Sequence, residues 1–245
     1  MDRPHIICHI LQSLNGKIAG NFLKTPEAEP LLREYARIRD SFGATAFAYG
    51  AATLREMFFR ERRPSFATKP ARNVLREDCL QDAGAERRLI AIDPDGELEW
   101  ADGVARSSRP TLNGAHVVEI LIGSASDARI AHLKRAGVSC VFAGERELDL
   151  SLAMRKLKKY FGIDRMLLQG GGITDSSFLA EGLIDELSLV TASIAEYSAA
   201  ATLFDTSPFL KASLRPAVYE LKEAAPLEGG LWLHYVRSGK DDRYS

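Results

Sequence analysis

The chain has 245 residues, of which 46% are hydrophobic and 27% are charged. These values are typical of a globular protein, and the length suffices for one large domain or two small ones. The formal net charge of -1 excludes a general attraction to nucleic acid or to anionic lipid. No apolar run is long enough to cross a bilayer, so neither a membrane nor a nucleic acid is an expected partner.

The N-terminus and the cysteines indicate a cytoplasmic protein. Histidines interrupt the first apolar run and a small-residue cleavage site is missing, so no signal peptide is predicted. Cys8, Cys79 and Cys140 are odd in number and far apart, which disfavours a disulfide framework and a paired-cysteine zinc site. His5 and His9 alternate on the first predicted strand without a third ligand, so no metal site is predicted.

Short apolar strands alternate with helices through the middle of the chain. Strands are predicted at 5–11, 45–50, 87–93, 116–123, 138–144, 165–169 and 185–194. Helices are predicted at 27–39, from 51, at 126–136, at 149–161, and in a short stretch that Thr174 or Asp175 caps and Gly182 ends. The segment 217–238 is typical of an antiparallel hairpin that turns at 228–230.

This order predicts an α/β fold with a mostly parallel central sheet flanked by helices and a C-terminal antiparallel hairpin. Neither a repeat nor a break in composition marks a linker in the sequence. We therefore predict a single domain over residues 1–238, followed by a polar tail at 239–245.

Three consecutive glycines, at 170–172, lie between a predicted strand and a predicted helix. A dinucleotide fingerprint would need a further glycine where the chain has Asp175, so this is not a standard Rossmann turn. Glycines let backbone N–H groups approach a phosphate, and the dipole of the following helix favours its negative charge. A tight turn with positive φ angles is the simpler alternative, although three glycines exceed what a turn needs.

Three motifs resemble the riboflavin-biosynthesis reductase family, which comprises the C-terminal domain of bifunctional RibD and its stand-alone relatives. They are "LLQGGGITDSSFLAEGLIDELSLV" at 167–190, "SLNGKIAG" at 13–20 and "YGAATL" at 49–54. The motifs follow the family's order, and the resemblance spans about residues 5–236. It implies a dihydrofolate-reductase-like fold, hydride transfer from NADPH and a homodimer. The zinc deaminase half of bifunctional RibD has no counterpart, because a His-x-Glu with paired cysteines does not occur.

The resemblance also implies where NADPH would bind. Gly50 and Thr53 would flank the cofactor, and Leu11 and Gln12 would lie near the nicotinamide. Ser124 is a candidate to contact the 2′-phosphate. The pyrophosphate would be held by Gly170, Gly171, Gly172, Ile173, Thr174, Asp175, Ser176 and Ser177.

Several positions depart from the family pattern. Asn15 and Gln169 stand where the family has acidic residues, residues 57–59 replace an Asp-Asp-Pro, and Pro94 replaces a small polar residue. Asn and Gln keep hydrogen-bonding geometry but cannot work as an acid or a base. Hydride transfer needs a proton as well, and we expect water held by Asn15, Gln169 or Thr25 to deliver it. These three residues are the catalytic candidates.

Arginines supply the candidates for binding a substrate phosphate. Arg62 and Arg63 lie in a basic segment, which could equally be a solvated loop. Arg39, at the end of the first predicted helix, could reach the phosphate or simply interact favourably with the helix dipole.

The sequence thus predicts an NADPH-dependent reductase that resembles 5-amino-6-(5-phosphoribosylamino)uracil reductase of riboflavin biosynthesis. The altered motifs leave alternatives open. One is a pterin or other imine reductase of the same fold. Another is a non-catalytic nucleotide-binding homodimer, which would bind NADPH without oxidising it. A third is a protein that binds ATP or a sugar phosphate without a preference for nicotinamide.

Overall fold

The computed structural model describes residues 2–59, 73–205 and 216–239, and its contacts divide the chain into two compact units. The first unit is formed by residues 1–4 and 45–166, and the second by residues 5–44 and 167–245. Each unit is formed by two separate stretches of the chain. The single domain expected over residues 1–238 stays a prediction.

The second unit begins with β1 (His5–Gln12). Among the described residues of the first unit, four strands and three helices lie entirely within it. Its elements are β2 (Ala46–Gly50), α2 (Ala51–Phe58), β3 (Arg88–Ile92), β4 (His116–Leu121), α3 (Asp127–Arg135), β5 (Ser139–Phe142) and α4 (Leu150–Phe161). The strands lie in the order β5-β4-β3-β2, and every neighbouring pair is parallel. All residues of these four strands are buried, as in a parallel sheet that is covered on both faces.

The local sequence explains where the helices of this unit begin and end. The side chains of Ser126 and Asp149 accept a backbone N–H at the starts of α3 and α4. Gly137 and Gly162 follow the ends of these helices with φ of 75° and 63°. This left-handed conformation costs glycine little, so both helices stop where the sequence predicts.

The second unit holds the remaining elements, and strand β6 (Arg165–Leu168) contains the boundary between the units. Besides β1 it comprises α1 (Glu29–Ser41), α5 (Gly172–Ala180), β7 (Glu186–Ala192), β8 (Tyr219–Leu227) and β9 (Gly230–Arg237). Strand β7 pairs in parallel with β1 and antiparallel with β9, which pairs antiparallel with β8. The predicted fold class, including the C-terminal hairpin, is therefore confirmed.

The core of the second unit lies between β1, β7 and α1. It contains Leu11, Phe22, Leu31, Ile38 and Val190, all nearly inaccessible to solvent. Phe22 belongs to a short 3₁₀ helix, Asn21–Lys24, and a second one follows at Pro26–Ala28. These turns lead the chain from β1 into α1.

The start of α5 differs from the prediction, because neither Thr174 nor Asp175 caps it. The helix begins at Gly172, and Gly171, with a φ of 73°, occupies the N-cap position without a side-chain hydrogen bond. The glycines themselves turn the chain, so the helix starts three residues earlier than a cap at Thr174 would give. Asp175 instead lies inside the helix with its side chain buried.

Over the described ranges, 2–59, 73–205 and 216–239, we find no helix with the length and apolar character needed to span a membrane.

Candidate functional site

The candidate site is centred on the glycine turn that precedes α5. Gly170 and Gly171 have φ of 103° and 73°, a region that residues with side chains rarely adopt. The first N–H groups of α5 lack an intrahelical partner, as in any α-helix, and no side chain caps the helix. These donors and the positive end of the helix dipole coincide, which is how α/β proteins hold phosphate groups.

The third glycine is required by a close approach. A Cβ on Gly172 would lie 2.2 Å from the carbonyl oxygen of Thr202 and 2.8 Å from Oδ2 of Asp205. The hydroxyl of Ser176 donates to the carbonyl of Asp205 at 2.7 Å. Ser177 donates to a carbonyl four residues earlier in α5, at 2.9 Å. The hydroxyls of Ser176 and Ser177 both donate within the protein, and contact of these two serines with a pyrophosphate stays a prediction.

Asp175 lies beneath the turn as a buried acid. It has no solvent exposure, and no side chain of the described residues donates a hydrogen bond to its carboxyl. Burial raises the pKa of Asp175 well above its ordinary value, while the N–H of Gly170 opposes the shift. Burial, and secondarily Asp175, raise the pKa of the Cys8 thiol on β1. The raised pKa of Asp175 favours its protonated form, and that form places no negative charge beneath a phosphate site.

The loop after β1 is fixed to the segment after β7. Asn15 accepts the N–H of Glu196 at 3.0 Å and donates to its carbonyl at 2.8 Å. The carboxylate of Glu196 accepts the N–H groups of Phe22 and Ser198, both at 2.9 Å, and these bonds lower its pKa. Asn15 thus clamps two loops through both polar atoms of its amide.

Gln169 belongs to a different polar network. Its Nε2 donates to the hydroxyl of Tyr35 at 2.7 Å, and that hydroxyl donates to the carbonyl of His9 at 3.0 Å. The rings of Tyr35 and His9 stack with centroids 4.2 Å apart. Burial lowers the pKa of His9 to about 4, so this imidazole is neutral near pH 7. The network fixes the side chain of Gln169 next to the glycine turn.

The three catalytic candidates lie in the second unit but bond different partners. Asn15 bonds the backbone of a loop, Gln169 bonds a tyrosine, and Thr25 donates to a carbonyl three residues earlier at 3.0 Å. Of the residues expected near the nicotinamide, Leu11 is buried in the core, and Gln12 donates to the hydroxyl of β7 residue 191 at 3.1 Å. Their roles stay predictions.

The other cofactor candidates lie in the first unit. Gly50 is the N-cap of α2, without a side-chain hydrogen bond, and Thr53 is half-buried in the first turn of that helix. Ser124 is exposed, and its N–H donates to the carbonyl of Glu145 at 2.9 Å.

Of the three arginine candidates for binding a substrate phosphate, the structure describes Arg39. Arg39 lies in the last turn of α1, and its Nε donates to the carboxylate of Asp40 at 2.9 Å. Both alternatives for Arg39 therefore remain. Arg62 and Arg63 lie outside the described residues.

Sequence reasoning missed Tyr35 and Glu196, which bond two of the catalytic candidates, and Asp205, which bonds Ser176. Tyr35 was not among the predicted site residues, because helical spacing does not distinguish a packed ring from a hydrogen-bonding hydroxyl. Glu196 and Asp205 lie in irregular segments between β7 and β8, where no spacing predicts a contact.

A strand, a glycine turn and an uncapped helix in this order define the class of α/β proteins that hold anionic groups at a helix N-terminus. Comparison with known families makes this more specific. The RibD C-terminal domain family matches residues 97–226, more than half of the chain. The chain therefore belongs to the RibD C-terminal domain family, as the motifs predict.

Two curated relatives are reductases. The chain is 29% identical over 187 residues to the 2,5-diamino-6-ribosylamino-4(3H)-pyrimidinone 5′-phosphate reductase of Methanothermobacter thermautotrophicus, covering 76% of each chain. It is 25% identical over 187 residues to the reductase of the same name from Archaeoglobus fulgidus, covering 76% of this chain and 78% of the relative. These relatives support the predicted class of enzyme, an oxidoreductase.

Solved structures agree on the fold. A pyrimidine reductase-like protein from Corynebacterium diphtheriae superposes with a TM-score of 0.67 at 17% identity, covering 96% of this chain and 92% of that one. RibD from Acinetobacter baumannii superposes with a TM-score of 0.60 at 17% identity. The match covers 97% of this chain but only 59% of that RibD. At this identity the likeness establishes the fold alone.

Proposed function

We propose that this chain is an NADPH-dependent reductase that acts on a ribosylamino-pyrimidine 5′-phosphate. The observation that carries the proposal is the start of α5, where two glycines in left-handed conformation precede an uncapped helix. Such a turn accommodates a pyrophosphate through backbone N–H groups. The family and the names of the two archaeal relatives supply the reaction class.

The residues of the turn suit this cofactor. A bound NADPH supplies the hydride, and the protein supplies orientation and electrostatics. The N–H groups at the start of α5 would hold the pyrophosphate, and the raised pKa of Asp175 reduces the repulsion that a carboxylate beneath it would cause. Gln169, which directly precedes the turn, is held by Tyr35 and is the better placed candidate to orient water beside the cofactor.

The substrate proposal follows the relatives. Both archaeal relatives are named for a 2,5-diamino-pyrimidinone, and not for the uracil that the motifs first suggested. In the family reaction the hydride goes to the sugar carbon of the opened ribosylamine, so the pyrimidine ring itself is not reduced. We therefore favour the diamino-pyrimidinone as the substrate and keep the uracil form as the second compound to test.

A titration of the purified protein with NADPH and NADH tests the cofactor. We expect NADPH to raise nicotinamide fluorescence and the thermal midpoint at micromolar concentration, because a ligand stabilises the state that binds it. Gly171→Asp should abolish this binding by placing a carboxylate at the turn. Gly137→Asp is a matched control, since Gly137 has a φ of 75° and open space around it. Equal loss in both variants would show that backbone strain, and not the turn, causes the effect.

A non-catalytic binding protein is the second candidate. Asn15 stands where the family has an acid, and its amide is engaged by the backbone of Glu196. A protein of this kind would bind NADPH and leave it unoxidised with either pyrimidine.

The proposal of an NADPH-dependent reductase includes a cytoplasmic homodimer, which rests on the family resemblance.

A further inference from the structure

Two of the three cysteines face each other across one edge of the sheet in the first unit. Cys79 and Cys140 form an isolated antiparallel bridge, in which the N–H of each donates to the carbonyl of the other at 2.8 Å. Residues opposed in this way carry their side chains on the same face, with Cα atoms about 5.5 Å apart. That separation lies within the range that a disulfide bond spans.

We propose that Cys79 and Cys140 form a reversible dithiol–disulfide pair. The structure holds both as thiols. The sequence alone hides the pair because about 60 residues separate the two cysteines. Opposed residues in a hydrogen-bonded pair hold their Cβ atoms slightly farther apart than a disulfide prefers, so closing the bond pulls the two segments together. Such bonds are readily reduced, which suits a reversible pair.

The two thiols have different surroundings, and this sets the order of events. Cys79 is partly accessible to solvent, and the amide of Gln81 donates to its sulfur at 3.1 Å. Cys140 is fully buried, and burial followed by the charge of Glu119 raises the pKa of its thiol. Cys79 is therefore the thiol that an oxidant meets, and Cys140 is the resolving thiol.

Oxidation by a small disulfide such as oxidised glutathione balances in two steps. The thiolate of Cys79 attacks one glutathione sulfur, forming a mixed disulfide and releasing one glutathione thiolate. The sulfur of Cys140 then attacks that of Cys79 and displaces the second glutathione. Two protein thiols are oxidised while one glutathione disulfide is reduced to two thiols.

A buried carboxyl lies on the strand next to Cys140. Glu119 is the parallel partner of Cys140 between β4 and β5, so both side chains share one face of the sheet. Trp100 donates to one carboxyl oxygen of Glu119 at 2.5 Å. Burial raises the pKa of Glu119, so this carboxyl does not take up the proton that Cys140 loses. That proton leaves with the displaced glutathione thiolate.

The bond would tie residues 73–81 to the edge of the sheet. This segment is already anchored there, since Asp78 accepts the N–H of Phe142 at 2.8 Å and pairs with Lys156 at 2.8 Å. A disulfide closing a loop of about 60 residues restricts the unfolded chain. Oxidation should therefore raise the thermal midpoint of the protein.

The experiment treats the folded protein with oxidised glutathione and counts thiols after unfolding. We expect two of the three thiols to disappear, a digest to yield one linked peptide pair containing Cys79 and Cys140, and dithiothreitol to restore all three. Cys140→Ser should stop at a glutathione adduct on Cys79, whereas Cys8→Ser is a matched control that still forms the bond.

Three retained thiols in the oxidised wild-type protein would overturn the proposal, and so would a linked pair that contains Cys8. Both outcomes are read from the wild-type chain, so they do not depend on whether a variant folds. An adduct on Cys79 that persists in the wild-type protein would also contradict it, because Cys140 would then fail to resolve it.

Discussion

Replacing the buried carboxyl of Asp175 by an amide should change how the stability of the protein depends on pH. Asp175 has a pKa raised well above its ordinary value because it is buried, while the N–H of Gly170 opposes the shift. Its contribution to stability is therefore fully present below the unfolded pKa of about 3.9 and is lost as the pH rises towards the folded pKa. Asp175→Asn removes this dependence, since an amide does not titrate.

The magnitude follows from the linkage between proton binding and folding. Within that window the native protein holds a proton that the unfolded chain has lost, and the free energy of unfolding falls by about 1.4 kcal/mol per pH unit. For a chain of this length the difference corresponds to about 3–6 °C in the thermal midpoint. The gap between the variant and the wild-type protein should widen by this amount per unit as the pH rises from the unfolded pKa towards the folded pKa of Asp175.

Thermal midpoints measured at half-unit steps from pH 4.5 to 6.5 test this directly. The buried acids Asp93 and Glu119, whose pKa values burial also raises, contribute equally to both proteins and cancel in the difference. Asp164→Asn is a control in which the pKa of the replaced acid is shifted downwards, because an ion pair with Lys158 lowers the pKa of Asp164. Its curve should run parallel to that of the wild-type protein over this range. A parallel curve for Asp175→Asn would refute the assignment of a protonated buried acid.

Three further predictions concern the turn, the proton and the assembly. Gly172→Ala should destabilise the protein by about 1–3 kcal/mol, because the new Cβ would lie 2.2 Å from the carbonyl oxygen of Thr202. Gly84→Ala is the control and should cost little, since its new Cβ would meet one atom at 3.9 Å. Chemical denaturation measures both variants, and equal losses of stability would contradict the close approach. Gln169→Leu should lower turnover sharply if Gln169 orients the water, and Tyr35→Phe should lower it less by releasing the amide; unchanged turnover in Gln169→Leu would rule out that role. Sedimentation should give a mass of about 54 kDa for the proposed homodimer, twice the 27.0 kDa of the chain, and a 27.0 kDa species at all concentrations would contradict it.

The sequence predicted those elements whose positions and ends are determined by their own residues. The helices α3 and α4 have polar caps and terminal glycines, and the buried strands have runs of apolar residues, so periodicity and capping located them. The family motifs indicated the dihydrofolate-reductase-like fold, which periodicity alone does not identify. The glycine turn was recognised, but the start of α5 was not, because the rule that polar residues cap helices does not apply where Gly171 makes the turn.

The surroundings of the candidate site could not be predicted because they depend on contacts between distant segments. The amide of Asn15 bonds the backbone of Glu196, which is about 180 residues away. The hydroxyl of Ser176 bonds the carbonyl of Asp205. Such partners become visible only when the chain is folded, since no spacing rule links a loop after one strand to a loop after another.

The most direct test of the central claim is whether the protein oxidises NADPH in the presence of a ribosylamino-pyrimidine 5′-phosphate. The loss of nicotinamide absorbance would be followed with the 2,5-diamino-pyrimidinone and with the uracil compound, and the product mass would be measured. We predict that one NADPH is consumed for each molecule of product formed, and that the product is heavier than the substrate by two hydrogens. Tight binding of NADPH without oxidation in the presence of either compound would contradict the account and favour a nucleotide-binding protein without catalysis.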